Sequence, residues 1–182
     1  MLLAALGCDK QSVSGPLDNV DQVVGVFVQD MYYEQLTDDL TFEIDEHLLS
    51  LNQSLVLGNL LKEKSQLAVL RISDQNCSLC VETELEEIEK LQQVLPEHRV
   101  VVLASFENKR GLKILTEGLK KIGTPIFSVR FDKVHLPIEE ANIPYYFVLN
   151  RDWTVSNIFI PKRSFPDLTN TYFSVLAARL SE

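Results

Sequence analysis

Cysteine, histidine and basic side chains are all scarce in this chain of 182 residues. Three cysteines are too few for a disulfide-rich scaffold, and three histidines with no regular spacing give little basis for a metal site. Lysine and arginine together number 17 against 26 acidic residues, a formal net charge of −9. Because affinity for nucleic acid depends on clustered basic side chains, this balance argues against a nucleic-acid partner.

The apolar run at residues 1–7 is too short to cross a bilayer, which takes about 20 apolar residues. It ends in Gly7-Cys8 and resembles the end of a bacterial lipoprotein signal, in which a small residue precedes the lipidated cysteine. Cys8 is therefore the lipidation candidate, and polar residues 9–16 would form a tether. Since the basic segment of a signal peptide is missing, a frayed apolar terminus is the alternative.

The overall composition predicts one main domain with a short extension before it. Apolar residues at 46% and charged residues at 24% are ordinary values for a globular protein, and the length suits one sizeable core. We expect a signal remnant or tether at 1–18, an N-terminal extension at 19–50 and the domain at 51–182. Residues 20–36 fit a helix or a strand equally, whereas residues 48–61 suggest a small hairpin or a strand and turn.

From residue 66 onward, apolar runs of strand length alternate with segments of helical spacing. The strand candidates are residues 67–72, 100–104, 125–131, 145–149 and 155–160. The helix candidates are residues 81–95, 108–122 and 165–180. Strands that alternate with helices predict an α/β fold with a mixed central sheet and helices on both faces, the last two strands forming an antiparallel hairpin.

Cys77 and Cys80 carry the chemistry that this pattern suggests, because they follow a buried strand and begin a helix. Two cysteines three positions apart at a helix start lie within one turn and can close a small disulfide. Free backbone N–H groups at a helix start favour a thiolate at Cys77, which would attack a disulfide while Cys80 resolves the mixed disulfide. A zinc half-site and a static structural disulfide are the alternatives, although no second cysteine pair exists to complete a zinc site.

Together, residues 67–72, the motif Cys77-Ser-Leu-Cys80 and the segment 143–154 resemble the thioredoxin superfamily, specifically the membrane-anchored periplasmic thioredoxin-like proteins of bacteria. The resemblance implies a thioredoxin-like fold, with Cys77 as nucleophile and Cys80 as resolving thiol. It also implies that Pro144 follows a cis peptide bond beside the cysteines and that the backbone of Ile143 pairs with an extended substrate.

Two departures from the family pattern concern the active site. Asn76 stands where the family usually has Trp, and Ser78-Leu79 replaces the frequent Gly-Pro inside the motif. Arg71 occupies the position of a buried acid, six residues before Cys77. A buried arginine is costly unless it is paired, so we expect Arg71 to reach the sheet edge or to meet an acid such as Asp74 or Glu84. A guanidinium close to the cysteines would make it a thiol-tuning residue, and a purely structural ion pair is the alternative.

The sequence and its family resemblance thus predict a thiol–disulfide oxidoreductase of the bacterial cell envelope that needs no cofactor or metal. Its partners would be exported proteins with thiols or disulfides and a redox donor or acceptor protein, with membrane contact only through a lipid anchor. The alternative function is a thioredoxin-fold binding or scaffold protein in which Cys77 and Cys80 form a structural disulfide. A thiol peroxidase fits less well, because those enzymes usually have Thr or Pro before a lone reactive cysteine.

Overall fold

The computed structural model describes residues 31–33, 35–36, 40–51, 54–120, 123–161 and 165–181. Cys8, the tether and most of the ambiguous segment 20–36 lie outside these residues. From Leu57 onward, the described residues form four α-helices and five strands, in the order α1 (Leu57–Lys64), β1 (Gln66–Ser73), α2 (Ser78–Val94), β2 (Val100–Ser105), α3 (Lys109–Lys120), β3 (Ile126–Ser128), β4 (Tyr145–Asn150), β5 (Val155–Phe159) and α4 (Pro166–Leu180).

The five strands form one mixed sheet in the order β3-β2-β1-β4-β5. The strands β1, β2 and β3 run parallel, whereas β4 runs antiparallel to β1 and β5 antiparallel to β4. All five predicted strands are confirmed, although β3 is shorter than its apolar run. In the central strand β1, every residue after Gln66 is buried, which explains why its sequence is almost continuously apolar.

Helices cover both faces of the sheet, as the sequence predicted. Side chains alternate between faces along a strand, so Val69 and Leu70 of β1 belong to separate clusters of the core. The cluster that contains Leu70 is covered by α2, α3 and α4. The cluster that contains Val69 is covered by α1 and by a short 3₁₀ turn, Pro137–Ala141, whose Ile138 is fully buried. None of the described helices is long and apolar enough to cross a membrane.

The expected hairpin or strand and turn at residues 48–61 is wrong in its second half. Leu49 and Val56 form one isolated antiparallel bridge, and the chain then enters α1. Leu57, Leu60 and Leu61 are spaced to share one helical face, and all three are buried against the sheet. Burial of that face against the sheet favours the helix over a second strand.

Residues 40–51 pack against the domain in spite of their place in the expected extension. Phe42 is buried, with its ring edge against Phe147 of β4. Its backbone N–H donates to the carbonyl of Trp153, and the neighbouring Thr41 bridges to Thr154. These contacts attach the segment to the turn between β4 and β5.

Candidate redox site

Cys77 and Cys80 form a disulfide at the N-terminus of α2, with their Cα atoms 5.2 Å apart. Cys77 is the N-cap residue: its backbone is extended, and its Sγ accepts a hydrogen bond of 3.2 Å from the backbone N–H of Cys80. The helix start predicted for Cys77 is confirmed. The first turn of α2 contains no acidic residue, so no carboxylate there offsets the positive end of the helix dipole.

The two sulfur-bearing residues differ in exposure. Cys77 is exposed, whereas Cys80 is half-buried. Cys80 lies one turn before Glu84 and two turns before Ile88, which are buried residues of α2. Leu79, between the cysteines, is 58% exposed and places an apolar side chain at the surface beside Cys77.

Side chains of the β1–α2 turn fix the approach to Cys77. The backbone N–H of Ser73 donates to Oδ1 of Asn76 at 2.7 Å, and the N–H of Asn76 donates back to the carbonyl of Ser73 at 3.2 Å. Asp74 accepts from the backbone N–H of Glu107 at 2.7 Å, and its own N–H donates to the carbonyl of Ser105. Asn76 therefore closes the turn before the disulfide, a role that the sequence analysis missed although Asn is typical of such turns.

Arg71 is fully buried and paired with an acid, as expected, but the acid is Glu139 rather than Asp74 or Glu84. Its Nε and one terminal nitrogen donate to the two carboxylate oxygens of Glu139, each at 2.9 Å. The other terminal nitrogen donates to the carbonyls of Ile72 at 2.7 Å and Leu103 at 3.4 Å. Because side chains alternate along β1, Arg71 lies on the face opposite α2. None of its described hydrogen bonds reaches Cys77 or Cys80, so they give no direct support to the expected role in tuning the thiols.

The peptide bond between Ile143 and Pro144 is trans, which corrects the expected cis bond. Proline at the start of a strand needs no cis bond, since the strand tolerates the missing N–H at that position. Tyr145 pairs with Arg71 at the end of the β1–β4 ladder, so Ile143 and Pro144 lie just beyond it. Since β1 continues from this same end toward Cys77, both predicted substrate-binding residues lie at the end of the sheet that carries the disulfide.

Two buried tyrosines flank this end of the sheet. Burial, together with the carboxylate of Glu139 2.5 Å from its hydroxyl, holds the pKa of Tyr145 well above its usual value. Burial and the nearby carboxylate of Glu84 do the same to the pKa of Tyr146. Both side chains therefore stay protonated and act as hydrogen-bond donors at neutral pH.

Within the described residues, no group of three or more His, Cys, Asp or Glu side chains is placed to hold a metal ion. The chemistry that the described residues place at this site is that of a dithiol and a disulfide. An exposed sulfur at the start of a helix and a more buried partner one turn later suit thiol–disulfide exchange.

Comparison with known proteins gives similarity in structure only. No family model matches the sequence, and no curated protein matches it. A thiol:disulfide interchange protein of the thioredoxin family from Chlorobium tepidum is 14% identical, with a TM-score of 0.50 over 71% of this chain and 90% of that one. The N-terminal domain of PilB from Neisseria meningitidis is 16% identical, with a TM-score of 0.48 over 70% of this chain and 91% of that one.

The exposed lipoprotein thioredoxin Etrx1 from Streptococcus pneumoniae is 12% identical, with a TM-score of 0.47 over 70% of this chain and 96% of that one. At such identities a shared structure reports the fold and not the activity. The similarity to the Chlorobium protein therefore shows a shared fold.

Proposed function

We infer that this chain, whose fold is thioredoxin-like, is a thiol–disulfide oxidoreductase that alternates between a Cys77–Cys80 disulfide and a dithiol. One observation carries the inference: the disulfide lies at the N-terminus of α2, with the exposed Cys77 as its N-cap. A disulfide that only stabilised the fold would gain nothing from an exposed sulfur, whereas an exchanging one requires it.

The exchange proceeds in two substitutions at sulfur. The thiolate of Cys77 attacks a partner disulfide, forms a mixed disulfide with one partner sulfur and releases the other as a thiolate, which takes a proton from water. The thiolate of Cys80 then attacks Sγ of Cys77, forms the internal disulfide and releases the second partner thiolate. The partner is reduced by two electrons and the Cys77–Cys80 pair is oxidised, and the same steps in reverse oxidise a partner dithiol.

The substrate would lie across the end of the sheet at Ile143 and Pro144, beside the disulfide. The β1–β4 ladder ends at Tyr145, so the backbone of Ile143 lies beyond the last strand pair. An extended polypeptide can hydrogen-bond to the backbone of Ile143 beyond this last pair, which brings its disulfide to Cys77. The trans bond before Pro144 is compatible with this role, because pairing uses the backbone of Ile143.

The proposed location is the bacterial cell envelope, where exported proteins with thiols or disulfides and a redox donor or acceptor protein would be the partners. The Gly7-Cys8 sequence supports this location through its resemblance to a lipoprotein signal. Labelling with radioactive palmitate tests the anchor: we expect the full chain to incorporate label and the Cys8→Ser variant to lose it. Equal labelling of the two would refute lipidation at Cys8.

A trapping experiment tests the activity. In the Cys80→Ser variant the mixed disulfide has no resolving thiol, so we expect covalent adducts with disulfide-bearing polypeptides in envelope extract and with a purified peptide disulfide. The matched Cys77→Ser variant should form none. Adducts are detected on non-reducing gels and must disappear when dithiothreitol is added.

The scaffold alternative makes the opposite forecast for the same proteins. If Cys80→Ser forms no adduct, and iodoacetamide modifies neither Cys77 nor Cys80 of the reduced protein near pH 7, the disulfide is structural. The oxidoreductase would then be replaced by the binding or scaffold protein.

A further inference from the structure

Arg71 and Glu139 form a buried, two-pronged ion pair next to Ile143 and Pro144, the residues proposed to bind substrate. Their side chains are only 1% and 12% exposed, and the two N–H···O distances are both 2.9 Å. The hydroxyl of Tyr145 donates to Oε1 of Glu139 at 2.5 Å. One carboxylate therefore receives three hydrogen bonds, two from β1 and one from the first residue of β4.

The segment that carries Glu139 leads directly into the proposed substrate-binding residues, Ile143 and Pro144. Glu139 belongs to the 3₁₀ turn Pro137–Ala141, which ends at Asn142 in the left-handed conformation with a φ of 51°. Ile143 and Pro144 follow, and the ladder with β1 begins only at Tyr145. The buried side chain of Ile138 holds the apolar side of this turn, and the ion pair holds its polar side.

Stability is a weak reason for this ion pair. Desolvation of two charges offsets most of their attraction, so well-packed apolar residues often replace such pairs with no loss of stability. A two-pronged guanidinium–carboxylate contact does fix distance and direction, however, because both partners are planar and rigid. The pair is suited to fixing where the turn lies relative to β1.

We propose that Arg71 and Glu139 are positioning residues for substrate binding. They hold the backbone of Ile143 and Pro144 in register with β1, so that the disulfide of an extended polypeptide lies against Cys77. This proposal rests on the proposed function and deepens it. The substrate class is a disulfide within a polypeptide backbone. A small disulfide such as oxidised glutathione would contact Cys77 but is too short to pair with the backbone of Ile143 as an extended polypeptide would.

The test compares two substrates on the reduced full chain: a peptide with one disulfide in an extended segment, and oxidised glutathione. The principal variant is the double substitution Arg71→Met with Glu139→Leu, which leaves no buried charge behind. We expect kcat/KM for the peptide to fall about tenfold, mainly through a higher KM, because binding rather than chemistry is lost. The rate with glutathione should change less than about twofold, and the reduction potential of Cys77–Cys80 should not move.

A matched control comes from the exposed pair Arg130 and Asp132, whose two N–H···O distances of 2.9 and 2.8 Å repeat the same geometry at the surface. The double substitution Arg130→Met with Asp132→Leu should leave both substrates unaffected. The Arg71→Lys variant keeps a cation beside Glu139 but loses the two-pronged contact, and it serves if the principal variant fails to fold, as judged by thermal unfolding. It should show the same selective loss for the peptide.

Three results would overturn the proposal. One is a folded variant that retains peptide exchange at the wild-type rate. Another is an equal loss with peptide and glutathione, which would assign the effect to the thiols. The third is an equal fall of kcat/KM for the peptide in the variant of Arg130 and Asp132, which would mean that removal of any charged pair has this effect. A wild-type chain inactive toward both disulfides would instead refute the proposed function and remove the premise of this one.

Discussion

Cys77 caps the helix that contains its own disulfide partner, because its Sγ accepts a hydrogen bond of 3.2 Å from the backbone N–H of Cys80. The proposed nucleophile therefore also stabilises the helix start. In the N-cap position a side-chain acceptor satisfies one of the free N–H groups at the helix start. Two substitutions of Cys77 separate these roles, because serine removes the thiol but keeps a capping side chain, whereas alanine removes both.

Cys77→Ser and Cys77→Ala should both abolish disulfide exchange, but only the alanine variant should lose the cap. Serine is a strong N-cap residue and alanine is a poor one, so we expect the alanine variant to be less stable by about 1 kcal/mol. Urea unfolding of both variants in reductant measures the difference. Ser78→Ala, one residue into the helix, is the control and should change stability little. Equal stability of the two cysteine variants would mean that Cys77 does not cap α2.

Alkaline pH should destabilise the protein through Tyr145 and Tyr146. Their pKa values in the folded state lie well above the ordinary value near 10, so the folded state keeps both protons where the unfolded state has lost them. The free energy of unfolding should then fall as pH rises above about 10, by about 1.4 kcal/mol per pH unit for each tyrosine. Below about pH 10 the two tyrosines should not make the free energy of unfolding depend on pH.

Urea unfolding between pH 8 and 11 measures this slope, and absorbance at 295 nm follows the phenolates directly. The variant Tyr145→Phe removes one of the two groups and should reduce the slope above pH 10 by about 1.4 kcal/mol per unit. An unchanged slope in that variant would contradict the raised pKa of Tyr145.

Phe42→Ala should destabilise the domain by about 3–5 kcal/mol, the usual cost of removing a buried phenylalanine ring. Phe42 is 3% exposed and its ring centroid lies 5.5 Å from that of Phe147. Chemical denaturation gives the free energy of unfolding. Leu49→Ala, at a side chain 48% exposed, is the control and should cost less than about 1 kcal/mol. A loss below about 1 kcal/mol for Phe42→Ala would show that residues 40–51 are not needed by the domain.

The parts of the fold that the sequence predicted well have strong local signals. The run at 67–72 is apolar at nearly every position because β1 is covered on both faces, and helical spacing after Cys80 defines the buried face of α2. Where local signals compete, prediction failed. Residues 57–61 fit more than one element, and only burial of Leu57, Leu60 and Leu61 on the sheet makes them helical.

The sequence by itself determined the order of strands and helices from residue 66 onward and the placement of Cys77 and Cys80 at a helix start, since both follow from apolar spacing and turn residues close in the chain. Tertiary structure alone decided that Arg71 meets Glu139, 68 residues away, and not the nearer Asp74 or Glu84. Alternation along β1 sends Arg71 to the face opposite α2, where the 3₁₀ turn before Pro144 supplies the carboxylate of Glu139. Such a pairing depends on strand register and chain crossing, which no local pattern encodes.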